Sequence, residues 1–268
     1  MPDLVRNRYL TVQRRADGLM VQTVQCGTVT EASAQLLVDP RTFIVRKARW
    51  EWHRPPGGRP PVSTAVPELE GVEAYFQKGA SAFRMALENY PPLACELFIE
   101  NIRALIQAES FLYAERGYPS LDAYVEHWKT FYLGSCRYYS NLDRVEAGWG
   151  RYVGQRPGTN LFNRFEFLTR SSSVDGVTVC AVLSDSFHEM SLKLVLTGEN
   201  LKVRQADGAV LRAPDRLCFE TAALVSGLEG AVLAGKSKKE IASLLGGGQG
   251  CVHLINLAAA VREIIRAE

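Results

Sequence analysis

The stretch FNRFEFLTRSSSVDGVTVCAVLSD, residues 162–185, decides the fold. It contains two extended runs, 163–170 and 177–184, which are joined through Asp175-Gly176. An Asp-Gly pair between runs rich in β-branched and aromatic residues is a strong hairpin signal, because the tight turns of hairpins need residues that tolerate a positive φ. The stretch therefore predicts an antiparallel sheet in this half of the chain.

Two further strands and then three helices are predicted after this hairpin. The strands cover about 188–196 and 201–211 and are joined by a turn at Gly198-Glu199-Asn200. The period of the apolar residues then becomes that of helices, over 216–234, 238–245 and 251–267. Strands followed by helices indicate an α+β unit, in which helices cover an antiparallel sheet.

The same pattern occurs earlier in the chain. Residues 4–56 align without a gap on residues 162–214, which lie 158 positions later, and fifteen of the 53 pairs are identical. The similarity resumes in the tripeptides Leu69-Glu70-Gly71 and Leu228-Glu229-Gly230. Chance similarity between two β-rich stretches is the alternative, but here the spacing and the turn residues recur together. We therefore predict an internal duplication.

The chain is predicted to have three parts: a first repeat at 1–109, an insert at 110–159 and a second repeat at 160–268. The insert is rich in aromatic residues. Ser120 can cap a helix within it, with an apolar face formed by Leu121, Tyr124, Val125, Trp128 and Tyr132. We interpret this face as core packing, and the insert as a surface that could bind another protein.

Composition narrows the class of protein. Apolar residues make up 47% of the chain and charged residues 22%, as in ordinary globular proteins. A net charge of +2 gives no reason to expect nucleic acid or an anionic membrane as a partner. We see neither a signal peptide nor an apolar run of membrane-spanning length, so we expect a cytoplasmic protein, whose six cysteines are core residues, metal ligands or reactive thiols rather than disulfides.

The segment GAVLAGKS, residues 230–237, matches the phosphate-loop pattern but carries little weight. A phosphate loop follows a buried strand and opens a long helix in a sheet that also supplies a downstream carboxylate for magnesium. Here only about thirty residues follow, and they are helical or glycine-rich. We interpret the segment as a helix end that stops near Gly235, followed by a capping box of Ser237 and Glu240.

Five side chains of the second repeat form a candidate metal site. They are Asp185, His188, Cys218, Cys251 and His253. If the helices cross the sheet with their N-termini at one end, these positions converge there. Thiolate, imidazole and carboxylate together suit zinc or an iron–sulfur cluster. The helix dipole would favour thiolates at helix N-termini.

Two alternatives remain open at this stage. Cys251 and His253 would point about 200° apart on a regular helix, so both can bind one ion only if the first turn is irregular. His253 is otherwise a supporting group or a buried histidine with satisfied hydrogen bonds. A metal-free version of the site could instead be catalytic, with Cys251 as nucleophile and His188 as base.

The first repeat has no intact counterpart of this ligand set. Asp185 aligns with Gly27 and His188 with Thr30, whereas Cys218 falls on Arg59. We predict that the first repeat has kept the fold without the site. The remaining candidate residues, which are Cys26, His53, Cys95, Cys136 and Cys180, are predicted to be structural.

The second repeat resembles a bacterial domain family of unknown function. The resemblance rests on Asp175-Gly176, on His188 and Met190, and on the closing stretch from Leu245 to Leu254, which contains Gly250-Cys251-Val252-His253. The family ends in LGG-x-x-GC-T-HL, so Val252 replaces its threonine. The resemblance implies one conserved domain and assigns no activity to it.

More distantly, the same repeat is similar to the U-type (IscU/NifU-like) iron–sulfur cluster scaffold. In that family a second cysteine opens a helix that ends in GKS, and a third cysteine opens the last helix. Cys218 and Cys251 match those positions, but Ser186 stands where the family has its first cysteine. Since a thiolate is missing and imidazoles are present, this resemblance implies a single-metal site, such as zinc, more than a cluster-assembly role.

Three functions follow from these observations. The first is a metal-binding protein, with zinc or an iron–sulfur cluster, on a U-type scaffold-like α+β fold that is present twice. The second is a metal- or thiol-dependent enzyme, and an enzymatic role is the less favoured of these two. The third is a non-catalytic protein that binds a partner and carries a vestigial site. The sequence does not determine the oligomeric state.

Overall fold

The computed structural model of the protein describes residues 1–154, 156 and 158–265. The fold is α+β, as predicted. The chain divides into two compact units, one formed by Asn7–Tyr124 and Tyr152–Phe165 and the other by Met1–Arg6, Val125–Arg151 and the chain from Glu166 onward. The predicted end of the last helix at residue 267 lies outside the described residues.

The first unit has a sheet with a helix packed on it and a second helix packed on the first. Its strands are β1 (Leu4–Arg15, which begins in the second unit), β2 (Gly18–Gly27), β3 (Glu31–Val38), β4 (Val45–Arg54) and β5 (Val62–Ala65), and its helices are α1 (Phe76–Ala86) and α2 (Pro92–Ala108). β2, β3, β4 and β5 pair in that order, antiparallel. Asn101 of α2 is fully buried and donates to the Ala34 carbonyl at 3.1 Å, which fixes the helix on β3.

The second unit has the same order of strands and then helices. Its elements are α3 (Leu121–Phe131, which begins in the first unit), β6 (Asn160–Ser173, which also begins there), β7 (Gly176–Asp185), β8 (Glu189–Thr197), β9 (Lys202–Arg212), α4 (Arg216–Phe219), α5 (Lys238–Leu244) and α6 (Val252–Ile265). β7, β8 and β9 form an antiparallel meander. The inward residues of these strands pack against α6 in one apolar core.

The strands and the capping box confirm the sequence-based predictions for this unit. The predicted strand at 177–184 is β7, and the predicted turn at 198–200 separates β8 from β9. Ser237 and Glu240 make both hydrogen bonds of the capping box at the start of α5. Ser120 caps α3, since its hydroxyl accepts from the Ala123 N–H at 3.1 Å.

The predicted long helix over 216–234 is wrong. α4 has only four residues, and the chain continues as 3₁₀ turns at Glu220–Leu228 and Leu233–Gly235. The Thr221 hydroxyl donates to the Cys218 carbonyl at 2.6 Å, three residues earlier. In an α-helix this carbonyl would accept from the backbone N–H four residues later. Here it accepts from a side-chain hydroxyl three residues later, which is the spacing of a 3₁₀-helix.

The strand registers of the two units correspond residue for residue. Leu19 pairs with Val38 in the first unit, and Val177 pairs with Leu196 in the second, so both partners are displaced by 158 positions. The register shift at Glu31/Ala32 likewise recurs at Glu189/Met190. An internal duplication accounts for this correspondence, and the duplication with its U-type arrangement stays a prediction.

The aromatic insert is divided between the two units. Residues 110–124 belong to the first unit and Val125–Arg151 to the second. Tyr124 and Trp128 of α3 are buried, which confirms that the apolar face of this helix packs in a core. None of the helices in the described part of the chain is long and apolar enough to cross a membrane.

Gly176, in the hairpin between β6 and β7, has no room for a side chain. Gly176 has a φ of +138°, and a Cβ at this position would lie 2.1 Å from the Leu196 carbonyl oxygen. We expect Gly176→Ala to lower the free energy of unfolding, measured by urea denaturation, by about 2 kcal/mol or more. Gly235→Ala is the control, since nothing lies within 4 Å of its Cβ position. Equal stability of the two variants would contradict this.

Candidate metal centre

The turn between β7 and β8 holds Asp185 and His188. The Asp185 Oδ1 atom accepts from the backbone N–H groups of Phe187 at 2.8 Å and His188 at 2.7 Å. The Asp185 N–H in turn donates to the His188 carbonyl at 2.7 Å. The Asp185 side chain is fully buried, and Nδ1 of His188 lies 3.1 Å from Oδ1. A carboxylate and an imidazole are therefore held together by the turn itself.

Residues 246–250, which we call the glycine loop, place Cys251 and His253. Gly246 is left-handed with a φ of 86°, and a Cβ on Gly250 would lie 2.0 Å from the Leu245 carbonyl oxygen. Bulkier residues at these positions would force the chain apart. The loop ends directly before α6, so Cys251 is at the N-terminal boundary of that helix.

The turn and the glycine loop bring three of the five predicted residues together. Asp185, His188 and His253 each offer a ligand atom, and these atoms lie within 4.8 Å of one another. The rings of His188 and His253 are 3.9 Å apart between centroids. A carboxylate oxygen and two imidazole nitrogens at this spacing can bind one metal ion.

Cys251 adjoins this group through His253. Its Sγ atom is 3.9 Å from Nδ1 of His253. The 200° separation expected for a regular helix does not apply, because α6 begins at Val252 and Cys251 precedes it. The Cys251 and His253 side chains therefore lie next to each other, and whether His253 is a ligand stays a prediction.

Cys218 lies outside the three-residue group. The hydroxyl of the buried Thr221 donates to the Cys218 carbonyl at 2.6 Å. Asp215, also buried, caps α4 by accepting from the Leu217 N–H at 3.0 Å. These bonds fix the backbone around Cys218 at the start of α4.

Burial keeps both thiols protonated when no cation is present. It raises the pKa of Cys251 to about 11, although hydrogen bonds from the backbone of Leu254 and His253 act in the opposite direction. Burial, with a smaller contribution from Cys251, raises the pKa of Cys218 to about 12. At both cysteines, desolvation outweighs the hydrogen bonds from backbone N–H groups, which favour the thiolate.

Cys136 lies in the insert, and burial raises the pKa of its thiol. Its assignment as a structural cysteine stays a prediction.

The first unit has the same turn without the ligands. The Gly27 N–H donates to the Thr30 carbonyl at 3.0 Å, as Asp185 does to His188. His53, in β4, contacts the Ser33 hydroxyl at 3.1 Å and the Glu51 carboxylate at 3.7 Å. That the first repeat carries no intact ligand set stays a prediction.

The segment at 230–237 has no phosphate-loop geometry. Leu233–Gly235 is a single 3₁₀ turn, and Ser237 is used as the cap of the seven-residue α5. No strand precedes it directly, since the described chain runs through the 3₁₀ turns after α4. This geometry gives no support to nucleotide binding by residues 230–237.

The raised thiol pKa values predict slow alkylation of the metal-free protein. After chelation, we expect Cys218 and Cys251 to react with iodoacetamide more slowly at pH 8 than the same cysteines do in guanidinium, because the thiol is the unreactive form. Their rates should rise about tenfold per pH unit from pH 8 to pH 10. Peptide mass spectrometry measures both rates, and a midpoint below pH 9 would contradict the burial effect.

In comparisons with known proteins, a family model matches one part of the chain. No curated protein and no solved structure matches it. Residues 171–266, which contain all five predicted ligands, match the model of a family described as "Protein of unknown function (DUF2889)". The predicted resemblance to a domain family of unknown function is thereby confirmed for this part of the chain.

Proposed function

We propose that the protein binds one zinc ion, or a similar transition metal ion, through Asp185, His188, His253 and Cys251. The observation that carries this proposal is the approach of three ligand atoms to within 4.8 Å, with the Cys251 thiol beside them. These donors supply one oxygen, two nitrogens and one sulfur. Four such donors are the number that zinc takes in a closed structural site.

The distances support a tetrahedral ion. Zinc–sulfur and zinc–nitrogen bonds of normal length place the two ligand atoms about 3.6 Å apart, and Sγ of Cys251 is 3.9 Å from Nδ1 of His253. Asp185 and His188 are 3.1 Å apart in direct contact. Small side-chain rotations are enough to admit the ion between them.

Hydrogen bonds from neighbouring groups hold Asp185 in place. The Phe187 and His188 N–H groups fix the Asp185 carboxylate, and Arg212 donates to the Asp185 carbonyl at 2.7 Å. Supporting hydrogen bonds of this kind set the direction of a ligand and are typical of metal sites. A metal ion would also offset the desolvation that keeps the Cys251 thiol protonated.

The donor set favours a single ion over an iron–sulfur cluster. Clusters are held mainly by cysteine thiolates, whereas the compact group here consists of Asp185, His188 and His253. A U-type scaffold-like origin remains part of the proposal for the fold. The role that we infer is metal binding or metal handling, with no reaction assigned.

An enzyme is the second candidate function. The Cys251 thiol and the His253 ring are in contact at 3.9 Å, which is the pairing that thiol-dependent catalysis needs. His253 replaces His188 as the candidate base, since it is the imidazole that adjoins the thiol. The third candidate, a partner-binding protein with a vestigial site, predicts that mutation of the cysteines leaves folding and partner binding intact.

Cobalt titration of the full chain tests the proposed metal site. We expect one equivalent of Co²⁺ to bind with a sulfur-to-cobalt charge-transfer band, and Zn²⁺ to displace it. His188→Ala and Cys251→Ser should each weaken binding by about tenfold or more, because each removes one ligand. The charge-transfer band should disappear in Cys251→Ser.

His53→Ala is the matched control, because it removes a histidine near the end of β4, in the other unit. It should bind cobalt with the affinity of the wild type. A wild-type chain that binds no cobalt or zinc would contradict the proposal. Equal affinities of His188→Ala and His53→Ala would contradict the ligand assignment.

A further inference from the structure

Residues 134–149, which we call the insert segment, contact the glycine loop at one end. Three donors of the insert segment bind three successive residues: Arg137 N to Gly250 O at 2.9 Å, Ser140 Oγ to Gly248 O at 2.7 Å, and Asn141 Nδ2 to Gln249 Oε1 at 2.9 Å. The two stretches also pack closely, since a Cβ on Gly248 would lie 2.6 Å from the Gly134 carbonyl oxygen. The insert segment therefore holds the loop that precedes Cys251 and His253.

The other end of the insert segment packs on the turn between β7 and β8. The ring centroids of Trp149 and Phe187 are 4.9 Å apart, with an angle of 50° between the ring planes. Phe187 is fully buried, and its N–H donates to Oδ1 of Asp185 at 2.8 Å. Trp149 therefore supports the residue whose backbone holds the Asp185 carboxylate.

Tyr138 links these two contacts within the insert segment. Its hydroxyl accepts from the Trp149 N–H at 3.0 Å, and its neighbour Arg137 donates to the glycine loop. Tyr138 is buried, so water does not readily replace this hydrogen bond when it is lost. Tyr138 thus fixes the spacing between the contact with the glycine loop and the contact with Phe187.

Two acidic side chains attach the insert segment to the chain around α4. Glu220 accepts from Arg137 Nε at 2.9 Å. The buried Asp215 accepts from the backbone N–H groups of Glu146 at 3.1 Å and Ala147 at 2.7 Å. These bonds keep the insert segment in place through residues that are not among the proposed zinc ligands.

We propose that the insert segment positions the two pairs of zinc ligands relative to each other, with Tyr138 as the positioning residue that couples them. This inference rests on the zinc site proposed above. Asp185 and His188 lie in the turn at one end of the insert segment, whereas Cys251 and His253 follow the glycine loop at the other end. One ion needs both pairs in place at once, so it binds more tightly when their spacing is set in advance.

Support for the site thus comes from outside the matched domain, since the insert segment lies before residues 171–266. Thermodynamic linkage makes the effect reciprocal: the ion stabilises the contacts of the insert segment by as much as those contacts stabilise the bound ion. We therefore expect variants of the insert segment to change metal affinity, and metal binding to protect the insert segment.

Cobalt titration of the full chain compares Tyr138→Phe with Tyr139→Phe. We expect Tyr138→Phe to raise the Co²⁺ dissociation constant about fivefold, because one buried hydrogen bond is lost. The d–d absorption of the cobalt-saturated variant should also weaken, since its intensity depends on how close the ligand angles are to tetrahedral. Tyr139→Phe should match the wild type, because the Tyr139 ring stacks on Tyr132 and its hydroxyl makes no hydrogen bond within the described residues.

Trp149→Ala and Trp149→Phe test the contact with the turn between β7 and β8. Alanine removes the ring that packs on Phe187, so we expect it to raise the Co²⁺ dissociation constant about tenfold or more. Phenylalanine keeps a ring at this position and should restore most of the affinity. Equal affinities of the wild type and Trp149→Ala would overturn the proposal.

Two results with Tyr138→Phe would overturn it as well. A lower free energy of unfolding together with wild-type Co²⁺ affinity and absorption would mean that Tyr138 supports only the fold. Equal weakening by Tyr138→Phe and Tyr139→Phe would mean that the bond to Trp149 has no special part. A wild type that binds neither Co²⁺ nor Zn²⁺ contradicts the zinc site itself, and this inference with it.

Hydrogen exchange of the unaltered protein covers variants that do not fold. One equivalent of zinc should slow the exchange of the Arg137 and Trp149 amides, measured in peptides that cover 134–149, and that of residues 246–253. Peptides from β3, in the other unit, are the control and should change less. Protection of 246–253 without protection of 134–149 would overturn the positioning role and leave the zinc site standing.

Discussion

The buried carboxylate of Asp185 is the feature on which the site depends. Its Oδ1 atom accepts two backbone N–H groups and faces His188, so one side chain both closes the turn between β7 and β8 and offers a ligand. A carboxylate that is fully removed from water needs such donors or a cation. Here two backbone N–H groups satisfy the Asp185 carboxylate, and a cation could bind to it as well.

The first unit shows what the same backbone does without this carboxylate. Gly27 and Thr30 form an equivalent turn, and Arg54 donates to the carbonyls of this turn as Arg212 does in the second unit. The turn is therefore a property of the strand order and register. In the second unit, this turn also carries the proposed ligands Asp185 and His188.

Much of the fold could be predicted because it depends on local signals. The Asp175-Gly176 turn and the capping box at Ser237 are short-range patterns, and the structure has both. The prediction of a helix over 216–234 was wrong, because apolar periodicity does not show where an α-helix gives way to 3₁₀ turns. Asp185, His188 and His253 lie together in the structure, and their role as ligands stays a prediction, because a distance between side chains does not show that an ion binds.

X-ray absorption at the zinc edge of the full chain, loaded with one equivalent of zinc, tests the central claim most directly. The account predicts a first shell of nitrogen and oxygen atoms at about 2.0–2.1 Å together with a sulfur atom at about 2.3 Å. A shell of nitrogen and oxygen alone would remove Cys251 from the site. A shell of sulfur alone would contradict the placement of zinc on Asp185, His188 and His253.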